Sequence, residues 1–266
     1  MTGKASFDHV YAEPDPRPYF RALRALDYHL PQLAKPYFAK LVAEYRAERG
    51  VAEPTVVDVG CSYGVNGALR RAEATMDQLY DHYTGTEAAG LDRDGLIERD
   101  RRLVRGAGGV RFVGLDVSGP ALAYARDAGF LDEAVHADLE RNEPTDAQTA
   151  VLAGADLVVS TGCVGYVTER TVGQLAALPG RRPWMAHFVL RMFSYAPVAD
   201  ALTGLGYATT ETAGVFRQRR FASADERERI LDTLRDNGVE PHELETAGWL
   251  CARLYLSRPT DHEEHT

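Results

Sequence analysis

The 266-residue chain predicts an α/β fold: a doubly wound, mostly parallel sheet of seven strands with an N-terminal helical cap and a helical insertion. Three observations predict it. From residue 55 onward, short apolar or β-branched runs alternate with stretches of helical periodicity, the pattern of a parallel sheet covered on both faces. The first run, Thr55-Val56-Val57-Asp58-Val59, closes on Gly60-Cys61-Ser62-Tyr63-Gly64 and reopens as helix at Val65-Asn66-Gly67. The second run, Val110 to Leu115, ends in an acid, Asp116.

Taken in order, Pro14-Asp15-Pro16-Arg17-Pro18 reads as an extended leader whose last proline suits a first helical position. Tyr19, Leu23, Leu26 and Leu30 recur at helical spacing, and Pro31 is expected to stop that helix. A second helix is expected from Pro36, with Tyr37, Leu41 and Tyr45 on one face. Both precede the first strand, so residues 1–50 are expected to cap the ligand edge of the sheet, and residues 51–260 to form the main domain. Residues 73–109, with Met76, Leu79, Tyr80, Leu91, Leu96 and Leu103 among many charges, predict an insertion of two or three short helices. After the second strand, Ser118 is placed to cap a helix from Ala121 to Ala128 that Gly129 ends. Further strands are expected at 134–139, 156–161, 184–190, 208–221 and 250–256, and Ser223 to Glu226 reads as a capping box. The tail from Asp261 is expected to be frayed. His262 and His265 within it have metal-like spacing, but a terminus explains them better, and no catalytic metal is expected.

A net charge of −9 argues against a nucleic-acid partner. The arginine clusters at Arg70-Arg71, Arg181-Arg182 and Arg217 to Arg220 are expected to be solvated faces or local ion pairs. Three cysteines, Cys61, Cys163 and Cys251, fit free thiols in a reducing cytosol. With no apolar run long enough to cross a membrane, the expectation is a cytoplasmic protein, monomeric or homodimeric, that acts on a small molecule.

The glycine-rich turn suits a small polar ligand, because Gly60 and Gly64 bring no side chain between ligand and backbone. The dinucleotide fingerprint is absent: its second and third glycine slots hold Ser62 and Val65, and no acid lies at the required distance. Instead Asp58 stands two residues before Gly60. The order Asp-x-Gly-x-Ser-x-Gly resembles the first motif of class I S-adenosylmethionine (SAM)-dependent methyltransferases, with Ser62 where that family most often has glycine. Asp116-Val117-Ser118, at the tip of the second strand, is similar to the family's second motif, and a carboxylate there suits two ribose hydroxyls. The resemblance covers about residues 50–260. It implies a Rossmann-like methyltransferase sheet with SAM as cofactor. Asp58, Gly60, Ser62, Tyr63, Gly64, Asp116, Val117, Asp138, Leu139, Ser160 and Thr161 are the implied cofactor contacts, Asp138 and Leu139 toward adenine. Tyr28 and Tyr11 of the cap are candidates to lie against the sulfonium.

Class I enzymes handle the substrate just after the fourth strand, where this chain has Gly162-Cys163-Val164-Gly165-Tyr166. Tyr166 is the first catalytic candidate, followed by Asn66, His187 and Arg191; His187 is a possible base, although strand histidines are more often core. The adenine- and glutamine-directed signature Asn/Asp-Pro-Pro-Tyr is absent. A finer resemblance rests on Asp15 to Arg21, Asp27-Tyr28, Cys61-Ser62-Tyr63-Gly64, Gly162 to Tyr166 and Gln218-Arg219-Arg220-Phe221. These runs are similar to a bacterial, biosynthetic group that includes enzymes cyclising SAM to azetidine-2-carboxylate and methylthioadenosine. That group carries Asn-Leu-Glu where this chain has Asp138-Leu139-Glu140. The first expectation is therefore methyl transfer to a small molecule, the second is cyclisation of SAM, and the third is a SAM-binding protein without catalysis.

Overall fold

The computed structural model describes residues 13–106 and 109–260. The cap begins with α1 (Arg17–Arg24) and α2 (Leu30–Arg49). Then come β1 (Thr55–Val59), α3 (Val65–Arg71) and the insertion helices α4 (Met76–Thr84), α5 (Thr86–Ala89) and α6 (Arg93–Leu103). The chain continues through β2 (Arg111–Asp116), α7 (Gly119–Asp127), β3 (Glu133–His136), α8 (Asp146–Leu152), β4 (Leu157–Thr161) and α9 (Glu169–Ala177). It ends with β5 (Trp184–Leu190), α10 (Ala196–Gly204), β6 (Tyr207–Arg220), α11 (Ala224–Asp236), α12 (Glu243–Thr246) and β7 (Trp249–Pro259).

The strands form one sheet in the order β3-β2-β1-β4-β5-β7-β6. Pairs from β3 to β5 are parallel, and β7 runs antiparallel to both neighbours. The chain's direction across the sheet reverses between β1 and β4, which leaves a crevice at the carboxyl ends of those strands. Alternation along the strands divides the core. Val56, Leu157, Val159, Ala186 and Phe188 face the cap and insertion, whereas Val57, Val59, Val158, Met185 and Val189 face a second cluster that includes Leu152, Leu175 and Leu202.

Prolines mislead at the cap. Pro31 does not stop a helix; it occupies the first turn of α2, where its missing N–H would have had no partner, and Pro36 lies inside the same helix rather than at its start. The preceding turn instead ends α1 at Arg24 and carries Asp27 at φ +50°. Tyr11 and the tail from Asp261, with His262 and His265, lie outside the described residues.

The insertion does not line the cavity described below; it braces the cap. Phe20 of α1 stacks on Tyr83 at 4.3 Å and meets Tyr80 edge-on at 5.9 Å, and the Tyr80 hydroxyl donates to the backbone carbonyl of Tyr28. Asp100, fully buried, accepts hydrogen bonds from Tyr83, Tyr124 and His82, which ties α6 to α4 and α7. The arginine clusters prove to be partnered. Arg71 pairs with Asp132, Arg181 with Asp156, and Arg217 and Arg220 lie over the Trp249 ring at 4.7 and 3.9 Å. Arg219 is no solvated residue: it is 1% exposed and gripped through both terminal nitrogens by Glu226, at 2.9 and 2.7 Å. That use of Glu226 replaces the expected capping box, of which Ser223 accepting from the Glu226 N–H remains.

Candidate ligand-binding cavity

The turn after β1 takes its shape from residues that tolerate left-handed backbone. Gly60, Ser62 and Gly64 have φ of +67°, +51° and +70°. A methyl group on Gly60 would stand 2.7 Å from the Cβ of Cys163, so the turn and the segment after β4 approach as closely as glycine permits. The Gly60 N–H donates to the Leu115 carbonyl at 2.8 Å, and the Ser62 N–H donates to Asp116 Oδ2 at 2.8 Å. Both bonds bind the turn to the tip of β2.

Above these tips lies a cavity of about 900 Å³. The turn contributes Gly60, Cys61 and Ser62, and α3 contributes Val65 and Asn66. Beyond β2 and β3 come Asp116 to Pro120 and His136 to Glu140; beyond β4 come Thr161, Gly162, Cys163 and Tyr166. The cap closes it with Tyr19, Leu23, Tyr28 and Pro31, and β6 adds Gln218 and Arg219. Ten of the sequence-derived site residues thus share one wall system: Tyr28, Gly60, Ser62, Asn66, Asp116, Val117, Asp138, Leu139, Thr161 and Tyr166.

Six do not reach it. Asp58 is buried beneath Asn66, whose Nδ2 donates to both carboxylate oxygens at 3.1 Å and approaches Thr161 Oγ1 at 3.3 Å. Burial pushes the Asp58 carboxyl up to about 7, opposed by the Asn66 hydrogen bonds and aided by the Asp116 charge. Asp58 therefore orients Asn66 and does not itself face the cavity. Tyr63 is buried against Tyr19, and its hydroxyl donates to the Glu13 carbonyl, pinning the leader to the turn. Gly64 is the left-handed residue before α3, packed toward Ala125. Ser160 and His187 are both fully buried and bonded to each other at 2.8 Å (Oγ to Nδ1). Burial holds the His187 imidazole down at about 4, so it is a neutral core residue and not a base in this cavity. Arg191 is buried in an ion pair with Glu245 and donates to the Glu240 carbonyl, away from the cavity. An acid or histidine inside a β-branched run looks the same in sequence whether it faces a ligand or the core.

Asp116 lines the cavity at the tip of β2. Its oxygens accept the Ser62 and Ser118 N–H groups at 2.8 Å each. Burial raises its pKa, and those backbone bonds hold it back. Sequence reasoning missed Tyr19, Glu140, Cys163, Gln218 and Arg219 as cavity residues. Glu140 accepts from the backbone and hydroxyl groups of Thr168 and Thr171, joining the loop after β3 to the N-terminus of α9. Its only signal was its position directly after Asp138-Leu139.

Alternating β/α units around a β1/β4 reversal, closed by an antiparallel strand inserted before the edge, settle the architecture. The chain has the class I methyltransferase fold. No protein-family model matches it, and no curated protein matches it. Solved structures similar to it include the [4+2]-cyclase SpnF (13% identity, 84% of this chain and 80% of that one, TM-score 0.44). A magnesium protoporphyrin IX methyltransferase from Synechocystis, with bound SAM, is similar at 12% identity over 85% and 79% of the two chains, TM-score 0.42. A TehB-like SAM-dependent methyltransferase from Corynebacterium glutamicum is similar at 13% identity over 85% and 96%, TM-score 0.38.

Proposed function

We propose that this chain binds SAM in the cavity at the β1/β4 crevice and transfers its methyl group to a small molecule. The observation that carries the reading is the union of the Gly60-to-Ser62 turn and Asp116 through the Ser62 N–H, at the mouth of one large cavity. The residues fit the cofactor. The Asp116 carboxylate suits ribose hydroxyls; Asp138 and Leu139 supply a polar and an apolar contact for a purine; the Gly60-to-Ser62 turn, which lines the cavity, leaves backbone within reach of an amino-acid end. Ser62 Oγ and Gln218 Oε1, buried and without partners, are polar atoms that a bound ligand can satisfy.

When bound, the sulfonium supplies an electrophilic methyl group. The chain's own work is positioning and exclusion of water, and an effective concentration of reactants supplies most of the acceleration that such a displacement needs. Tyr28 and Tyr166 offer aromatic faces that favour a cation, and Asn66, oriented by Asp58, presents a fixed amide beside Thr161. The cap and its bracing insertion shield the site. A cavity of about 900 Å³ lies near the upper end of the range for small-molecule pockets, which supports a second small molecule beside the cofactor.

The test has two arms. Calorimetric titration with SAM should give an affinity that Asp116→Ala weakens by roughly tenfold or more, the loss of hydrogen bonds to a charged group; unchanged affinity refutes the site. Incubation with isotope-labelled SAM and mass analysis of products then separates reactions. Label passing only to an added acceptor supports methyl transfer, and methylthioadenosine released without any acceptor supports cyclisation instead.

A further inference from the structure

β6 and β7 lose register between Arg217 and Arg219: Arg217 faces Cys251, Arg219 faces Leu250, and Gln218 is the extra residue. A regular strand sends consecutive side chains to opposite faces, yet Gln218 and Arg219 both line the cavity and are 3% and 1% exposed. The bulge re-aims the pair, a device common beside functional sites. Arg219 is held by the Glu226 carboxylate. Gln218 is held differently. Its carbonyl accepts the His29 N–H at 3.0 Å from the cap, and its side chain lies so close to Gly162 that a methyl group there would stand 2.5 Å from Nε2. Its Oε1 is buried without a partner. An amide oxygen can only accept, so whatever occupies this end of the cavity must present an N–H or O–H donor, or the chain bears an uncompensated polar burial.

The donors of SAM are few: the adenine amine, the ribose hydroxyls and the α-ammonium. In the proposed site the ribose belongs to Asp116 and the purine to Asp138 and Leu139, all beyond β2 and β3. Gln218 lies on the other side, against the residue that follows β4. We infer that Gln218 Oε1 is the acceptor for the α-ammonium of the bound nucleoside, so that the cap-facing bulge of β6 reads the amino-acid end of the ligand. The inference rests on the proposed function.

The experiment compares two nucleosides: S-adenosylhomocysteine, which carries the amino-acid end, and methylthioadenosine, which lacks it. Both are titrated calorimetrically into the parent chain, Gln218→Met and Gln218→Glu. Gln218→Met, similar in length but with no acceptor oxygen, should weaken S-adenosylhomocysteine roughly 10- to 100-fold while methylthioadenosine stays within about twofold. Unaltered methylthioadenosine affinity also shows that the variant is folded. Gln218→Glu keeps an acceptor and should bind S-adenosylhomocysteine roughly tenfold or more tighter than Gln218→Met. Equal losses for both ligands in Gln218→Met, or no loss for either, overturn the inference and leave the proposed function standing. A parent chain that binds neither nucleoside overturns both.

Discussion

Replacing Asp58 with asparagine should stabilise the protein at alkaline pH and do so progressively less as the pH falls. Asp58 is 1% exposed, and burial raises its carboxyl from 3.8 to about 7. The folded chain therefore holds this proton more tightly than the unfolded chain does, and stability declines as pH rises between those two values. At 1.36 kcal/mol per pKa unit the whole effect amounts to about 4 kcal/mol, of which about 2–3 kcal/mol is incurred between pH 5 and pH 8. Asparagine carries no charge at any pH, and its one oxygen can still accept from Asn66 Nδ2, at the loss of the second of the two bonds. That loss shifts only the variant's curve, by the same amount at every pH, so the slope of the difference is set by the parent's titration. Urea unfolding of parent and Asp58→Asn across pH 5 to 8 should show the stability difference moving in the variant's favour by about 2–3 kcal/mol, or about 5–10 °C in melting temperature. A difference constant to within about 0.5 kcal/mol over that range would refute the reasoning, since a solvated carboxylate behaves that way.

His187 gives the opposite dependence. Its imidazole is held down at about 4 against an ordinary 6.5, so stability is full above about pH 6.5 and should fall by up to about 3 kcal/mol as pH drops toward 4, a loss that His187→Leu abolishes in a urea series extended down to pH 4. Breaking the Arg219 to Glu226 pair by Arg219→Met should cost about 3–5 kcal/mol because it strands a buried carboxylate, and adding Glu226→Met should recover most of it in thermal unfolding. A double variant no more stable than the single one would mean that the arginine acts through packing rather than through its partner.

The sheet was legible because its signals are local. β5 runs from Trp184 to Leu190 as the apolar run predicts, and the glycine turn and Asp116 are joined by the Ser62 N–H. The helical insertion resolved into three helices, α4 to α6, at the upper bound of the expectation. What was not legible depends on direction. Alternation along β1 puts Asp58 on the face of Val56, beneath Asn66, and the same alternation turns His187 into the core with Ser160; nothing in a β-branched run says which face a cavity will occupy. Pro31 and Pro36 misled because proline is tolerated within a first turn and, less often, further in, so a proline marks a helix boundary only after the caps are known. Gln218 and Arg219 sat in an arginine-rich run that reads as a solvated edge, and only a bulge, which has no residue signature here, brings both inward.

Three of the missed residues, Tyr19, Gln218 and Arg219, share a cause that bears on function. The regular β/α alternation builds the part of the cavity at the tips of β1, β2, β3 and β4, which carry the glycine turn, Asp116, Glu140 and Cys163. The rest is lined by elements outside the alternation, a cap that precedes β1 and the end of an antiparallel strand, while the insertion braces the cap from outside the cavity. The three are stitched together, since the Tyr80 hydroxyl holds the Tyr28 carbonyl, the His29 N–H holds the Gln218 carbonyl and the Arg220 N–H holds the Leu26 carbonyl. Such a wall can change without disturbing the sheet, which is why the fold leaves the reaction open. Under the proposed function, discrimination between a methyl acceptor and the ligand's own amine falls to Tyr19, Tyr28 and Gln218, with Tyr166 in the loop after β4, and not to the glycine turn and Asp116.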